Sequence, residues 1–117
     1  MVLVYLARYN PGMDRREIID QKIRDALTPM HLEVIDESHQ HNVPDGSQSH
    51  FKLVVVSDQF EGVSLIKRHR QINVLLKQEF ELGLHALALH TMTPEEWYRK
   101  GGKILATPEC LGGAKPA

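Results

Sequence analysis

Three of the seven histidines, His39, His41 and His50, fall within ESHQHNVPDGSQSHF at residues 37–51, a stretch in which Pro44-Asp45-Gly46 marks a turn. Neutral imidazole is the commonest metal-binding side chain, so a loop holding three of them is a candidate ion site. A closed zinc site takes four ligands, usually with cysteine among them, and the helical i, i+4 histidine pair is absent here. The spacing therefore leaves two readings open, metal ligation and solvated or backbone-bonded rings. A further histidine, His85, stands at the start of the apolar run LHALALH (84–90). Strand alternation would put it on the face of Leu87 and Leu89, with Ala86, Ala88 and His90 opposite. A polar ring in that setting needs either a hydrogen-bond partner or a metal.

KRHR at residues 67–70 offers a different chemistry. Lys67, Arg68 and Arg70 could meet phosphate or simply form a solvated helix face, with His69 turned toward the core. No catalytic constellation accompanies these groups. Ser38, Ser47, Ser49, Ser57 and Ser64 are turn-like or strand-end serines, and the chain contains no GxSxG, HExxH, P-loop or GxGxxG. A non-enzymatic role is expected.

The elements that must position these residues follow from the pattern. Asn10-Pro11-Gly12 reads as a turn, and Asp14 with Glu17 has the spacing of a capping box, which predicts a helix from about Asp14 to Leu27. Its apolar stripe is Ile18, Ile19, Ile23 and Leu27. HLEVIDES (31–38) and FKLVVVSD (51–58) read as a hairpin with a long loop carrying the histidine cluster. The proline-free stretch 61–83, with Leu65, Ile66, Ile72, Leu75, Leu76 and Phe80, suits one helix or two, stopped at Gly83. Residues 84–90 form a third strand, expected to be central. Thr93, Pro94 and Glu96 carry a second capping box, and Trp97 would anchor the helix it starts. The result is an α+β domain over residues 13–100, with helices on one side of a three-stranded sheet. Residues 1–12 form an N-terminal extension and residues 101–117 a disordered tail.

Composition narrows the class. The chain of 117 residues, 42% of them apolar, suits a single core. Its formal charge of −1 supplies no general attraction to phosphate, so nucleic-acid binding would need a local patch. The one cysteine, Cys110, rules out an internal disulfide and fits a reducing, intracellular setting. No apolar run approaches the roughly 20 residues of a membrane span. The N-terminus lacks acidic residues and carries Arg8, a hint of organelle targeting, so mitochondrial and cytoplasmic locations both stand.

Taken together, ESHQHNVPDGSQSHF, FEGVSLIKRHR and HALALHTMTPEEW, in this order and spacing, resemble the BolA family over residues 31–97 and the helix upstream. The long histidine-containing loop is similar to the BolA1-type branch. The resemblance implies a single domain similar to the class II KH fold, with the order helix, strand, strand, helix, helix, strand, helix. It also implies a non-catalytic partner of monothiol, CGFS-type glutaredoxins. The two proteins would hold a bridging [2Fe–2S] cluster, with glutathione, in iron–sulfur assembly and iron regulation. Mapped onto this chain, the family's strand histidine is His85 and its loop ligand is His41, with His50 the nearest competitor. His39 would be a bystander, and Cys110 lies outside the matching region. Imidazole in place of thiolate leaves a cluster less negative and raises its potential. The free protein would be a monomer or weak dimer.

Two alternatives accompany that reading. Relatives described as transcriptional regulators and the KH-like fold suggest nucleic-acid binding through Lys67, Arg68 and Arg70. A KH clamp needs GxxG, however, and the matching stretch FEGVS has one glycine beside Glu61. The other alternative is a stand-alone binder of a single metal ion.

Overall fold

The computed structural model describes residues 13–38 and 48–102. The N-terminal extension, His39, His41, Cys110 and all of the expected tail beyond Gly102 lie outside the described residues. The element order is α1 (Arg15–Leu27), β1 (His31–Asp36), β2 (His50–Val56), a 3-10 turn (Asp58–Phe60), α2 (Leu65–Leu75), α3 (Lys77–Glu81), β3 (Ala86–Met92) and α4 (Pro94–Arg99). This is the expected α+β arrangement of a three-stranded sheet and four helices.

Both capping boxes form. Asp14 accepts from the Glu17 amide while the Glu17 carboxylate accepts from the Asp14 amide, satisfying two donors that the first turn of α1 would otherwise leave open. Thr93 and Glu96 do the same for α4, with Pro94 at the first helical position. Ser64, which sequence reading treated only as turn-like, caps α2 by accepting from the Lys67 amide.

The sheet order is β1-β2-β3, with β1 antiparallel and β3 parallel to β2. The third strand is therefore an edge strand, which corrects the expectation that it is central. The strand paired on both sides is β2, whose last four residues, Leu53 to Val56, are fully buried. Its nearly continuous apolar run is the pattern of a strand covered on both faces, whereas the alternating HALALH is the pattern of a half-covered one. A parallel pairing needs a long crossover, and α2 and α3 supply it.

One sheet face carries the main core: Val34, Phe51, Leu53 and Val55 pack with Ile19, Ile23 and Leu27 of α1, Ile72 and Leu76 at α2, and Phe60 and Leu84. The opposite face is not bare of helix. Trp97 of α4 packs on Val54, Val56 and Met92 in a second cluster, so the helices are not confined to one side as expected. The His31 ring stacks on Trp97 with centroids 4.6 Å apart, and His31 Nε2 lies 2.7 Å from Glu33 Oε2.

The inward stripe of α2 also differs from expectation. Leu65 and Ile66 are exposed, and the buried residues are Arg68 and Ile72. An arginine holds a core position because four of its five N–H donors are directed at acceptors: Nε to Val63 O at 2.8 Å, Nη1 to Thr91 O at 3.1 Å, and Nη1 and Nη2 to the two Glu96 oxygens at 2.8 and 3.3 Å. Its guanidinium also lies over the Phe60 ring at 5.4 Å. Arg68 thus bolts the edge strand and α4 to α2.

Candidate functional site

The stitching that defines the site begins at the neck of the long loop. Asp36 Oδ1 accepts from the Ser38 amide at 2.9 Å, bending the chain out of β1. The Ser38 hydroxyl, nearly buried, then accepts from the amides of Ser49 and His50 at 2.9 and 3.1 Å. The Glu37 amide donates to His50 O at 2.8 Å. Two strands meet here through one serine oxygen, so the chain at residues 48–50 is held although it borders a loop. His50 is consequently the first residue of β2, not a loop residue as its sequence context suggested.

The third strand enters at the same point. Ser49 O accepts from the amides of both His85 and Ala86, at 2.8 and 3.2 Å, and Ala86 is the register partner of His50. His85 itself immediately precedes β3 and is exposed, which corrects the expectation that it begins the strand as a polar ring in an apolar setting. Leu84 is buried and Gly83, with φ +124, turns the chain after α3, so the ring that follows is lifted out of the core. The consequence is that the imidazoles of His50 and His85 come together, with centroids 6.0 Å apart and planes inclined by 36°.

Ser49 Oγ lies 2.9 Å from His50 Nδ1. With Nδ1–H donating to that oxygen, the lone pair of the ring is on Nε2, the arrangement in which a second partner orients a metal-binding histidine. The donor set suits a borderline metal such as iron or zinc. Among the described residues no group of three or more His, Cys, Asp or Glu side chains comes together. Two imidazoles alone are fewer donors than a closed metal site takes. His41, the expected loop ligand, lies outside the described residues.

The remaining candidates are dispersed. His90 sits on the other face of β3, paired in register with Val54, and burial followed by the nearby positive charges of Lys52 and Lys100 holds its pKa below the usual histidine value. His69 has its Nε2 buried without a hydrogen-bond partner among the described residues. Of the basic run, Lys67 and Arg70 are exposed and line an open groove with Gln71 and Val74, whereas Arg68 is committed to the interior and is not available to phosphate. The basic patch expected from KRHR is thus smaller than its sequence suggests. Sequence reading also missed Ser38 and Ser49 as site-forming residues. The only local signal was the Asp36-x-Ser38 spacing of a side-chain-closed turn.

Comparison with known proteins gives a consistent result. The family profile described as BolA-like protein matches residues 23–96. The chain is 49% identical over 102 residues to the DNA-binding transcriptional regulator BolA of Escherichia coli K12, covering 87% of this chain and 97% of that protein. It is 43% identical over 97 residues to human BolA-like protein 1, covering 83% of this chain and 70% of that one. Among solved structures it is similar to the BolA domain of SufE1 from Arabidopsis thaliana, with a TM-score of 0.67 and 48% identity over 72% of this chain and 96% of that one.

Proposed function

Since the chain belongs to the BolA-like protein family, we propose that it is a non-catalytic partner of a monothiol, CGFS-type glutaredoxin, and that the two proteins hold a [2Fe–2S] cluster between them with glutathione, in iron–sulfur assembly or iron regulation. The observation that carries this reading is the pairing of the His50 and His85 rings on a held backbone, with too few donors among the described residues to close a metal shell. A half-site of this kind suits a cluster whose other thiolate ligands come from a second molecule. His85 is the first ligand and His50 or His41 the second. Two imidazoles on one iron leave the cluster less negative than an all-thiolate one and raise its potential. The chain's own contribution is orientation: the Ser49 hydroxyl holds the His50 ring at Nδ1, and the Ser38 hydroxyl holds the amides of Ser49 and His50. The same reading calls for a reducing compartment, the cytosol or the mitochondrial matrix.

The test is reconstitution with a CGFS-type glutaredoxin, glutathione, iron and sulfide, followed by visible absorption and circular dichroism. A heterodimer with a spectrum distinct from that of the glutaredoxin alone is the expected result. An unchanged glutaredoxin spectrum without a complex overturns the reading.

A second reading, nucleic-acid binding, is favoured by the name of the Escherichia coli relative. In this chain Lys67 and Arg70 would make the phosphate contacts, with Arg68 serving only to fix the helix that presents them. The near-neutral charge and Glu61 beside the lone glycine weigh against it.

A further inference from the structure

One guanidinium ties the backbone that carries His50 to the backbone that carries His85. Arg15, the first residue of α1, donates through Nη1 to Gln48 O, two residues before His50. Through Nη2 it donates to Leu82 O at 2.8 Å, three residues before His85. Its own amide donates to Gln48 Oε1 at 2.7 Å. Gln48 has φ +51, a left-handed conformation that residues with a Cβ rarely adopt, so both ends of this residue are pinned where it would otherwise relax. At the other end of the clamp Gly83 leaves the guanidinium its space, since a Cβ there would meet Arg15 Nη2 at 3.2 Å. Behind the guanidinium stands the nearly buried carboxylate of Glu79, with Oε1 3.8 Å from Arg15 Nε and Oε2 3.1 Å from Lys22 Nζ.

We infer that Arg15 is a positioning residue for the histidine pair: with the Ser49 carbonyl, it holds together the two backbone segments that carry the rings. The inference rests on the shared-cluster reading for its functional consequence, though not for its geometry. A planar fork reaches two separate carbonyls from two different nitrogens, whereas a lysine has all three donors on a single nitrogen and cannot occupy both of those positions. Without the clamp the two segments are joined only downstream, where Ser49 O receives the His85 and Ala86 amides, and the ring separation is held less tightly.

Arg15→Lys keeps the charge that Glu79 faces and removes the span. In the free protein the expected result is loss of the nuclear Overhauser cross-peaks between the His50 and His85 ring protons, with the amide spectrum of the rest of the domain retained. In the complex with a CGFS-type glutaredoxin and glutathione, the half-life of the cluster after addition of a chelator falls about tenfold, the scale typical of a lost orienting partner. An arginine with a purely structural role would lower the melting temperature but leave the cross-peaks and, well below that temperature, the half-life unchanged. That result overturns the inference. Should Arg15→Lys fail to fold, Arg15→Gln removes the fork while Lys22 still faces Glu79, and its single amide nitrogen cannot replace both guanidinium bonds. Weakened cross-peaks then support the clamp, and unchanged ones overturn it. If the wild type itself forms no shared cluster, the functional reading fails, while the cross-peak measurement still decides whether Arg15 positions the rings.

Discussion

His50 and His85 present their rings to each other at 6.0 Å because a single carbonyl, Ser49 O, receives the amides of His85 and Ala86 while the next residue begins β2. The pair is therefore a product of strand pairing, and each ring can be removed without disturbing the pairing that brought it there.

Replacing His85 with alanine should separate function from folding. The side chain is exposed, so stability should change by less than about 0.5 kcal/mol in urea unfolding. The half-life of the glutaredoxin-shared cluster should fall at least about tenfold, as expected for loss of a ligand or its orientation. His41→Ala alone should have a milder effect because His50 stands beside His85, and the His41/His50 double variant should match His85→Ala. Wild-type half-lives in all three would remove these histidines from the ligand set.

Ser49→Ala tests the tautomer argument. The hydroxyl at 2.9 Å from His50 Nδ1 is lost, the backbone bonds of residue 49 remain, and cluster retention should drop by about tenfold. Visible circular dichroism of the reconstituted complex, followed against time, measures this.

Ser38→Ala should cost more stability than an ordinary surface change. The hydroxyl accepts from two amides, those of Ser49 and His50, and its removal leaves both donors without that acceptor in a nearly buried neck. The expected loss is about 1–3 kcal/mol by denaturant titration. Faster hydrogen exchange at Ser49 and His50 should accompany it.

Two groups tie stability to pH with the same sign. Glu96 is held below its ordinary value of 4.5, chiefly by its hydrogen bond from Arg68 and then by the Thr93 amide, and His90 is held below 6.5, chiefly by burial. A depressed folded-state pKa means that the unfolded chain binds the proton first as pH falls, so stability declines with acidity. The His90 contribution should fade from pH 6.5 downward and the Glu96 contribution from pH 4.5 downward. Glu96→Gln should be less stable than the wild type at pH 7, by about 1–2 kcal/mol given the partial exposure of the carboxylate. The difference should shrink toward pH 3. A constant difference across that range in pH-dependent urea titrations would contradict the assignment.

Trp97→Ala should open the second face of the sheet. The ring packs on Val54, Val56 and Met92 and stacks with His31. A loss of about 3 kcal/mol is expected, at the lower end for a buried aromatic because this cluster is small. Thermal unfolding monitored by circular dichroism reads it directly.

Much of this molecule is written locally. Both capping boxes, the helix from Asp14 to Leu27, the long-looped hairpin, the stop at Gly83 and the family motifs depend on residues a few positions apart, and such contacts leave their spacing in the sequence. What local pattern could not convey was which strand lies between the others, because that depends on pairing between distant segments. An apolar third strand proved to be an edge, and the LVVV run of β2 took the centre. For the same reason Arg68, a surface charge by its neighbours in KRHR, became a buried tie between α2, β3 and α4. The histidines could be singled out by type alone. Their approach could not, since it depends on the β2–β3 register, the Ser38 oxygen at the loop neck and an arginine from the first helix reaching two carbonyls far apart in the chain. The candidate ligands were legible by kind, and the tertiary structure alone decided which of them meet, because their meeting is fixed by long-range hydrogen bonds that no neighbouring residue encodes.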